Sequence, residues 1–249
     1  MKVHAIEPRV IINQTVREGR IELARCAYKA SLSRRKFRAF MIGDNDFVGH
    51  KDAKDVEPFS KAEEFISRLL NFKPHPHESV LEHGHIGVDF QLSRVITHQL
   101  VRHRLGGMTQ ESSRYVPYYK DDELFLIKPT MVPKKDLGTY EISWLEGAHS
   151  DVALNAKDIP LWILWAAQQC VRYKILIEDE GWKREDARYQ LTHHMASWIA
   201  YTGNFRQWRH MVSHRDQKKA SPEIQFVFKQ IREYLGEVSP VLLENLEGD

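Results

Sequence analysis

One stretch of the chain, residues 86–92, restricts the fold more than any other, because apolar and polar positions alternate along it. The apolar residues share one side of an extended chain and the others share the opposite side: Ile86, Val88, Phe90 and Leu92 against Gly87, Asp89 and Gln91. A period of two residues predicts a strand with one buried face. Ser93 follows at once and is a favourable N-cap, which predicts a helix from there to about Arg104.

The rest of the sequence indicates a helix-rich chain with few strands. Helical periodicity occurs at four places in the second half: residues 161–178, 184–191, 204–214 and 222–235. Ser60 and Glu63 have capping-box spacing and predict a helix that begins near Ser60, after a polar surface excursion at residues 43–58. A second strand is predicted near residues 113–119. Strands and helices do not alternate regularly, which favours a mixed α+β class in a single domain, residues 1–249.

Length and charge exclude several classes of protein. The chain has 249 residues, 42% hydrophobic and 28% charged, which is a globular balance with enough residues to bury a substantial core. Its 36 basic and 34 acidic residues leave a net charge of +2, so nucleic acid is not an expected partner and any anion site must be local. No run approaches the ~20 apolar residues that cross a bilayer, and no signal-peptide pattern is found. We therefore expect a cytoplasmic protein without membrane association.

The first group of functional candidates lies at residues 102–115, with the sequence RHRLGGMTQESSRY. Arginine forks, hydroxyl groups and the free amides of a glycine-containing loop are groups that bind an oxyanion-rich ligand. Gln99 and Arg102 are three residues apart and are predicted to share a helix face with Val95, directed toward an interior surface or pocket. The alternative is structural, because cations stabilise a helix C-terminus and the two glycines would end the helix. Both interpretations stay open at this stage.

The second group lies at residues 202–219, where Asn204 is a favourable N-cap. Four-residue steps predict one cationic stripe on the helix, beside a largely apolar one: Arg206, His210 and His214 against Trp208, Met211, Val212 and Arg215. Arg215 continues the buried stripe. It is either a guanidinium whose alkyl chain covers the core at a helix end or one held there to stabilise an anion.

Histidine is frequent, with 13 residues, but the sequence predicts no metal site. Four of these histidines are clustered: His75, His77, His83 and His85. Neither a cysteine pair nor a carboxylate set accompanies them, so hydrogen-bonding imidazoles are favoured over a zinc site. The motifs of Rossmann dinucleotide sites, P-loops, serine hydrolases and zinc proteases are absent from the sequence.

Taken together, the two groups resemble the family of flavin-dependent thymidylate synthases. That family carries the motif Arg-His-Arg, seven residues and then serine, which this chain matches from Arg102-His103-Arg104 to Ser112, with Arg114-Tyr115 as the usual continuation. Further similarity extends over about residues 25–225 and covers most of the chain. The resemblance implies the thymidylate synthase-complementing protein fold, an α+β fold with a central, mostly antiparallel sheet.

The resemblance also implies which residues bind ligands. For the FAD cofactor these are Ser79, Arg102, His103, Arg104, Gln110, Asn204, Phe205, Arg206 and His210, with His77 close by. For dUMP they are Gln99, Arg102, Gln110, Glu111, Ser112, Ser113, Arg114, Arg188 and Arg215. Arg215 is also the implied catalytic residue, because its charge favours the N3-ionised, activated form of uracil. Gln110 stands where some members have glutamate, which keeps a hydrogen bond but removes a negative charge.

The implied activity is that of a methyltransferase that converts dUMP to dTMP. Methylenetetrahydrofolate is the carbon donor, and NADPH-reduced FAD is the hydride source. No side-chain nucleophile is needed, which agrees with the two cysteines, since neither Cys26 nor Cys170 lies in a Pro-Cys-His setting. Both are predicted to be reduced, partly buried thiols. The resemblance further implies a homotetramer whose active sites are shared between subunits.

Two other classes of function remain open on the sequence. A nucleic-acid-binding module would use the basic runs for phosphates and Trp208 or Tyr115 for base stacking, although the net charge is nearly neutral. A structural oligomerisation protein would use the arginines in interface ion pairs, which leaves Gln99 and the glycine loop unexplained.

Overall fold

The alternating segment forms a strand, as predicted. In the computed structural model, which describes residues 1–30, 56–119, 122–144 and 156–246, this strand is His85–Ser93. The four apolar residues on its buried side are at most 1% exposed: Ile86, Val88, Phe90 and Leu92. The two-residue period therefore predicted both the strand and its buried face correctly.

Helices and strands are mixed along the described chain, which confirms the predicted α+β class. The strands are β1 (Lys2–Ile6), β2 (Arg9–Ile12), β3 (His85–Ser93), β4 (Gly107–Gln110), β5 (Glu123–Ile127), β6 (Gly138–Glu141) and β7 (Ala196–Asn204). The α-helices are α1 (Val16–Ala30), α2 (Val56–Leu70), α3 (Arg94–Leu100), α4 (Leu161–Glu178), α5 (Arg184–Ala187), α6 (Phe205–Arg215) and α7 (Pro222–Val238). Short 3-10 helices occur at Glu78–His83, Lys134–Asp136, Ala156–Asp158, Arg188–Gln190 and Pro240–Leu243.

The strands are shared between two sheets. One sheet has the order β5-β1-β6, in which β1 is parallel to β5 and antiparallel to β6. The other has the order β2-β3-β7-β4. Strand β3 leads directly into α3 and strand β7 leads directly into α6, so each of these strands places the first turn of a helix that carries predicted site residues.

The chain divides into two compact units, each built from segments that are distant in sequence. The first unit comprises Met1–Val10, Asp89–His103 and Met108–Ala200. The second comprises Ile11–Val88, Arg104–Gly107 and Tyr201–Asp249. The single domain spanning residues 1–249 stays a prediction.

The core of the first unit lies between the three-stranded sheet and α4. In the parallel pair, Val3 is opposite Leu124 and Ala5 is opposite Leu126, and all four side chains are buried. Helix α4 adds a row of apolar residues to the same cluster: Ile163, Leu164, Ala166, Ala167 and Cys170. The small side chains in this row allow the helix to approach the sheet closely.

Helix α6 organises the core of the second unit and confirms the predicted stripes. Trp208, Met211 and Val212 are fully buried, whereas Arg206 and His210 are exposed. The indole Nε1 of Trp208 donates a hydrogen bond to the carbonyl oxygen of Ile86 at 3.1 Å. A buried indole N–H without such a partner would cost free energy, so this bond lets the largest core side chain sit inside the unit.

Buried Arg209 attaches the C-terminal segment to α6. Its guanidinium donates to the carbonyl oxygens of Val241, Leu242 and Glu244, at 3.3, 2.7 and 2.8 Å. A carboxylate oxygen of Glu78 lies 3.5 Å from the same group. Burial lowers the pKa of Arg209 and Glu78 opposes this, but an arginine remains cationic throughout the ordinary pH range.

The helix predicted from Ser93 to Arg104 is shorter than expected. Helix α3 ends at Leu100, after which the amides of Arg102 and His103 bond to carbonyls three residues back, in tight turns. Val95 is 47% exposed, so its predicted interior face is wrong, and the buried face carries other residues: Ile96, Thr97 and Leu100. The predicted face assumed helical spacing through Arg102, but Arg102 lies beyond the helix.

The predicted strand at residues 113–119 is also wrong. The carbonyl of Ser112 accepts bonds from the amides of Tyr115 and Val116, which closes a turn there, and the strand pairing occurs earlier, in β4. The helix predicted at residues 184–191 divides into α5 and the 3-10 helix Arg188–Gln190.

The helix predicted to begin near Ser60 begins earlier, at Val56. Ser60 is thus inside the helix and does not cap it. The polar excursion predicted at residues 43–58 lies outside the described residues, apart from residues 56–58, which belong to α2.

Replacement of Arg209 by methionine should destabilise the protein by about 3 kcal/mol, because three carbonyl oxygens and Glu78 would lose a buried donor. Urea denaturation followed by circular dichroism measures this change. Lys229→Met, on an exposed position of α7, is the matched control and should change stability by less than about 0.5 kcal/mol. Equal effects of the two substitutions would contradict the structural role of Arg209.

Candidate active site

The first unit contains an open cavity that is lined by two of the predicted nucleotide-binding residues. The cavity has a volume of about 460 Å³. Its lining residues are Arg94, His98, Ser113, Tyr118, Arg188, Tyr189, Leu191, Thr192, His193 and Met195. Ser113 and Arg188 were predicted to bind dUMP. Arg94, His98, Tyr118 and His193 were missed, although the four-residue spacing of Arg94 and His98 would have placed them on one helix face.

Glu111 fixes the loop that carries Ser112, Ser113 and Arg114. Its amide donates to the carbonyl oxygen of Trp198 at 2.9 Å, and its carboxylate accepts from the amide of Trp198 at 3.1 Å. Glu111 therefore uses its main chain and side chain together to hold the same residue of β7. The carboxylate is occupied in positioning the loop.

Arg94 and Gln110 strengthen this attachment from the side of α3. Arg94 Nη1 donates to the carbonyl oxygen of Glu111 at 3.3 Å and to Ser197 Oγ at 3.4 Å. Gln110 Nε2 donates to Oγ1 of Thr97 at 2.7 Å, and the fully buried Thr97 in turn donates to the carbonyl of Arg94. The side chain of Gln110, predicted to bind flavin and dUMP, is thus engaged with α3.

Two of the arginines predicted to bind dUMP, Arg114 and Arg188, both contact Glu185. Arg188 Nε donates to the Glu185 carbonyl at 3.0 Å, and its Nη1 lies 3.5 Å from Ser113 Oγ. Arg114 Nε lies 2.6 Å from the Glu185 carboxylate. The hydroxyl of Ser112 accepts from the Arg114 amide at 3.3 Å, which stabilises the turn between them. The structure therefore brings these predicted residues together within one unit.

The Arg-His-Arg motif follows α3 with its arginines outward. Arg102 and Arg104 are exposed, whereas His103 between them is 8% exposed. Gln99, also predicted to bind dUMP, is partly buried on α3. Gly106 then has a steric reason to be glycine, because an added Cβ would lie 2.4 Å from the Tyr201 ring. Gly107 has no such neighbour within 4 Å.

In the second unit, the predicted flavin-binding residues lie at the start of α6. Asn204 Oδ1 accepts from the Gln207 amide at 2.8 Å, which confirms the N-cap. Phe205 is fully buried and its amide donates to the Gly84 carbonyl, so neither its ring nor its N–H is exposed to a ligand. Ser79, in the 3-10 helix Glu78–His83, is exposed.

Two acidic residues that were not predicted from the sequence contact the exposed Arg206 of α6. Arg206 forms an ion pair with Glu82 and lies 3.6 Å from Glu78. One turn further on, the ring of His210 contacts that of His214 in a tilted arrangement, with centroids 4.2 Å apart. Burial, and then the nearby His214, lower the pKa of His210, while Glu78 opposes this. His77 also lies at the surface, 4.8 Å from the Phe72 ring.

Arg215 ends α6 at the predicted edge of the core. It is partly buried, and burial lowers the pKa of its guanidinium. The group still remains charged at neutral pH, because an arginine does not lose its proton in proteins. A charge held in such a partly desolvated place acts more strongly on a neighbouring anion than a fully hydrated one would.

Neither cysteine has the properties of a nucleophile. Cys26 and Cys170 are free and buried, and burial raises the pKa of each thiol to about 12. Thiols with such pKa values are almost fully protonated at neutral pH, and the thiolate is the reactive form.

Within the described ranges, no group of three or more histidine, cysteine or acidic residues is placed to hold a metal ion. Across the same part of the chain, no helix has the length and apolar character needed to span a membrane.

Comparison with known proteins decides the family. The family model of the thymidylate synthase complementing proteins matches residues 14–241 of the chain. The chain belongs to this family. The prediction from the Arg-His-Arg motif is thereby confirmed.

Relatives and solved structures agree with this assignment. The flavin-dependent thymidylate synthase of Pyrococcus abyssi is 30% identical over 206 residues, which are 78% of this chain and 74% of that protein. The crystal structure of flavin-dependent thymidylate synthase ThyX from Helicobacter pylori, complexed with FAD and dUMP, has a TM-score of 0.59 at 20% identity, over 97% of this chain and 99% of that one. The UMP/dUMP methylase PolB from Streptomyces cacaoi, bound with 5-Br dUMP, has a TM-score of 0.63 at 18% identity, over 98% and 96%. The two structures confirm the fold.

Substitution of Glu111 by alanine should release the loop from β7, because the Trp198 amide would lose its carboxylate acceptor. Loss of about 1–2 kcal/mol of local stability corresponds to hydrogen exchange roughly ten-fold faster at that amide. Glu111→Gln is the control, since its amide oxygen can still accept and exchange should stay within about three-fold of the parent. Unchanged exchange in the alanine variant would contradict the positioning role.

Proposed function

We propose that this protein is a flavin-dependent thymidylate synthase, a methyltransferase that converts dUMP to dTMP. Methylenetetrahydrofolate supplies the carbon, and FAD reduced by NADPH supplies the hydride. The observation that carries the proposal is the contact between Ser113 and Arg188, which both line the 460 Å³ cavity. Arg114 is connected to Arg188 through Glu185, which contacts both arginines. Hydroxyl groups and arginine forks suit the phosphate of a nucleotide.

The nucleotide side of the proposed site lies mainly in the first unit. There we assign dUMP to Gln99, Arg102, Gln110, Glu111, Ser112, Ser113, Arg114 and Arg188. Arg188 and Arg114 hold the phosphate in this assignment, while Glu111 acts by fixing the loop through Trp198. We assign Arg215 to the uracil ring as the catalytic residue.

The residues proposed for flavin suit an anionic, hydrogen-bonding cofactor. We assign FAD to Ser79, Arg102, His103, Arg104, Gln110, Asn204, Phe205, Arg206 and His210. Arg206 and His210 present exposed donors on one face of α6, and Ser79 presents an exposed hydroxyl. Because Phe205 is buried, its contribution is to anchor the start of α6 through the Gly84 carbonyl.

The protein's own residues have a limited chemical task in this reaction. C5 of uracil must become nucleophilic, and the two buried thiols are unsuited to attack the ring. A guanidinium at Arg215 instead stabilises negative charge that develops on the uracil, without proton transfer from arginine. The bound flavin, once reduced, supplies the hydride. The homotetramer with shared active sites and the cytoplasmic location are parts of the same proposal.

The proposal is tested with purified protein that has been supplied with FAD. Addition of dUMP, methylenetetrahydrofolate and NADPH should yield dTMP, and NADPH alone should bleach the flavin absorbance. The double variant Cys26→Ala, Cys170→Ala should retain turnover within about three-fold, since neither thiol is expected to attack the substrate. A protein that binds no flavin, or a double variant that folds but is inactive, would refute the proposed route.

Two arginine variants should separate binding from chemistry. Arg188→Ala should raise KM for dUMP by about 10- to 100-fold, the loss expected for a charge-assisted hydrogen bond of about 1.5–3 kcal/mol. Arg215→Ala should keep flavin binding but lower kcat by at least about 100-fold, as removal of an anion-stabilising donor does. Lys229→Ala should alter neither constant. Full turnover in Arg215→Ala would remove the catalytic assignment.

A further inference from the structure

The cavity of the first unit contains ionisable groups that the proposed dUMP contacts leave without a role. Among its lining residues are two guanidinium groups and two imidazoles: Arg94 and Arg188, His98 and His193. All of the lining residues belong to the described part of the chain, and no carboxylate is among them. The cavity therefore has a permanently positive part and a part whose charge can change near neutral pH.

We propose that His98 and His193 form a proton-accepting pair in this cavity, which takes up a proton when the dianion of a phosphate monoester binds beside Arg94 and Arg188. The inference rests on the proposed function, which supplies dUMP as that monoester. In this proposal the two histidines select the dianionic form of the ligand, and the two arginines bind it.

The geometry couples the two histidines to each other and to Arg94. The rings of His98 and His193 meet edge to face, with centroids 6.4 Å apart. His98 follows Arg94 by one turn of α3, so both side chains project from the same face of that helix. At these distances one imidazolium disfavours a second, and one shared proton is the expected response to a dianion.

The groups that face the pair from the surrounding elements are cations, phenols and one further imidazole, that of His194, which interacts electrostatically with His193. Arg94 comes from α3, Arg188 and Tyr189 from the 3-10 helix, and Tyr118 from the loop after β4. Beyond the cavity lining, the carboxylate of Glu111 is committed to the amide of Trp198. A ligand that brings negative charge is thus the change that would stabilise an imidazolium here.

The surroundings of His98 favour its neutral form, which can accept a proton. Partial burial, followed by the charges of Arg94 and His193, lowers the pKa of His98 below its usual value. A dianion within about 4–6 Å favours the charged imidazole and raises that pKa, so binding near pH 7 draws a proton from solvent.

The same reasoning gives the pH range of the effect. Well below about pH 6 the phosphate monoester itself becomes a monoanion, and His98 begins to be protonated before binding. Proton uptake then disappears at the acid end. At high pH no proton is taken up and affinity falls, because only Arg94 and Arg188 still contribute positive charge. Uptake should therefore be largest between about pH 6.5 and 7.5.

Isothermal titration calorimetry measures the proton directly. Inorganic phosphate and dUMP are titrated into the whole protein at pH 7, in two buffers with different ionisation enthalpies. After subtraction of the protons that the monoanionic fraction of each free ligand releases when it binds as the dianion, we expect uptake of about half a proton with phosphate. Uptake should also be larger with dUMP than with deoxyuridine, which lacks the phosphate. His98→Gln and His193→Gln should each at least halve the uptake and weaken phosphate binding about three- to ten-fold. Both positions are exposed, so the variants should fold.

His75→Gln, at an exposed position of the second unit, is the control and should behave as the parent. The proposed histidine pair is wrong if phosphate binds without proton uptake. It is also wrong if proton uptake is unchanged in both His98→Gln and His193→Gln. If the protein makes dTMP but shows no uptake, the pair is wrong and the proposed function stands. If phosphate binds with uptake that the variants lose, but no dTMP forms, the pair stands and the proposed function fails.

Discussion

The double attachment of Glu111 to Trp198 is the interaction on which the nucleotide side of the proposed site depends. A loop of turns has few internal hydrogen bonds to define its shape, so it needs an anchor on a regular element. Here β7 is that anchor, because one residue of the strand both donates to and accepts from one residue of the loop. Ser112, Ser113 and Arg114 follow directly, and their positions are set by where Glu111 is held.

The arginines around the cavity are positioned largely by groups that carry no full charge. Arg94 bonds to a carbonyl and a hydroxyl, and Arg188 bonds to a carbonyl and a hydroxyl as well. Neutral acceptors orient a guanidinium without cancelling its charge, which remains available for an anion. Arg114 differs, since the carboxylate of Glu185 partly neutralises it, and a bound phosphate must compete with that carboxylate. The fixed positive charge of the cavity therefore comes mainly from Arg94 and Arg188.

Local periodicity made part of this arrangement predictable. The buried face of residues 86–92 and the two stripes of α6 depend on spacing within one element, and both were correct. The family and the clustering of Ser113 with Arg188 followed from the motif and the resemblance it carries. The contact of Glu111 with Trp198 joins residues 87 positions apart and that of Arg206 with Glu82 joins residues 124 apart, so no local pattern reveals them. The end of α3 was missed because helical spacing in the sequence continued past the last helical residue.

Helix α6 shows how surroundings give the same side chain different uses. The two terminal nitrogens of Arg209 contact three carbonyl oxygens and a carboxylate, and its charge stabilises the C-terminal segment. Arg206 lies at the surface, where water and two carboxylates weaken its field. Arg215 is between these extremes, because it is partly withdrawn from water and remains cationic. A group of this kind loses less to solvent screening than Arg206 does. This agrees with the role proposed for Arg215, which is to stabilise an anion that appears only during the reaction.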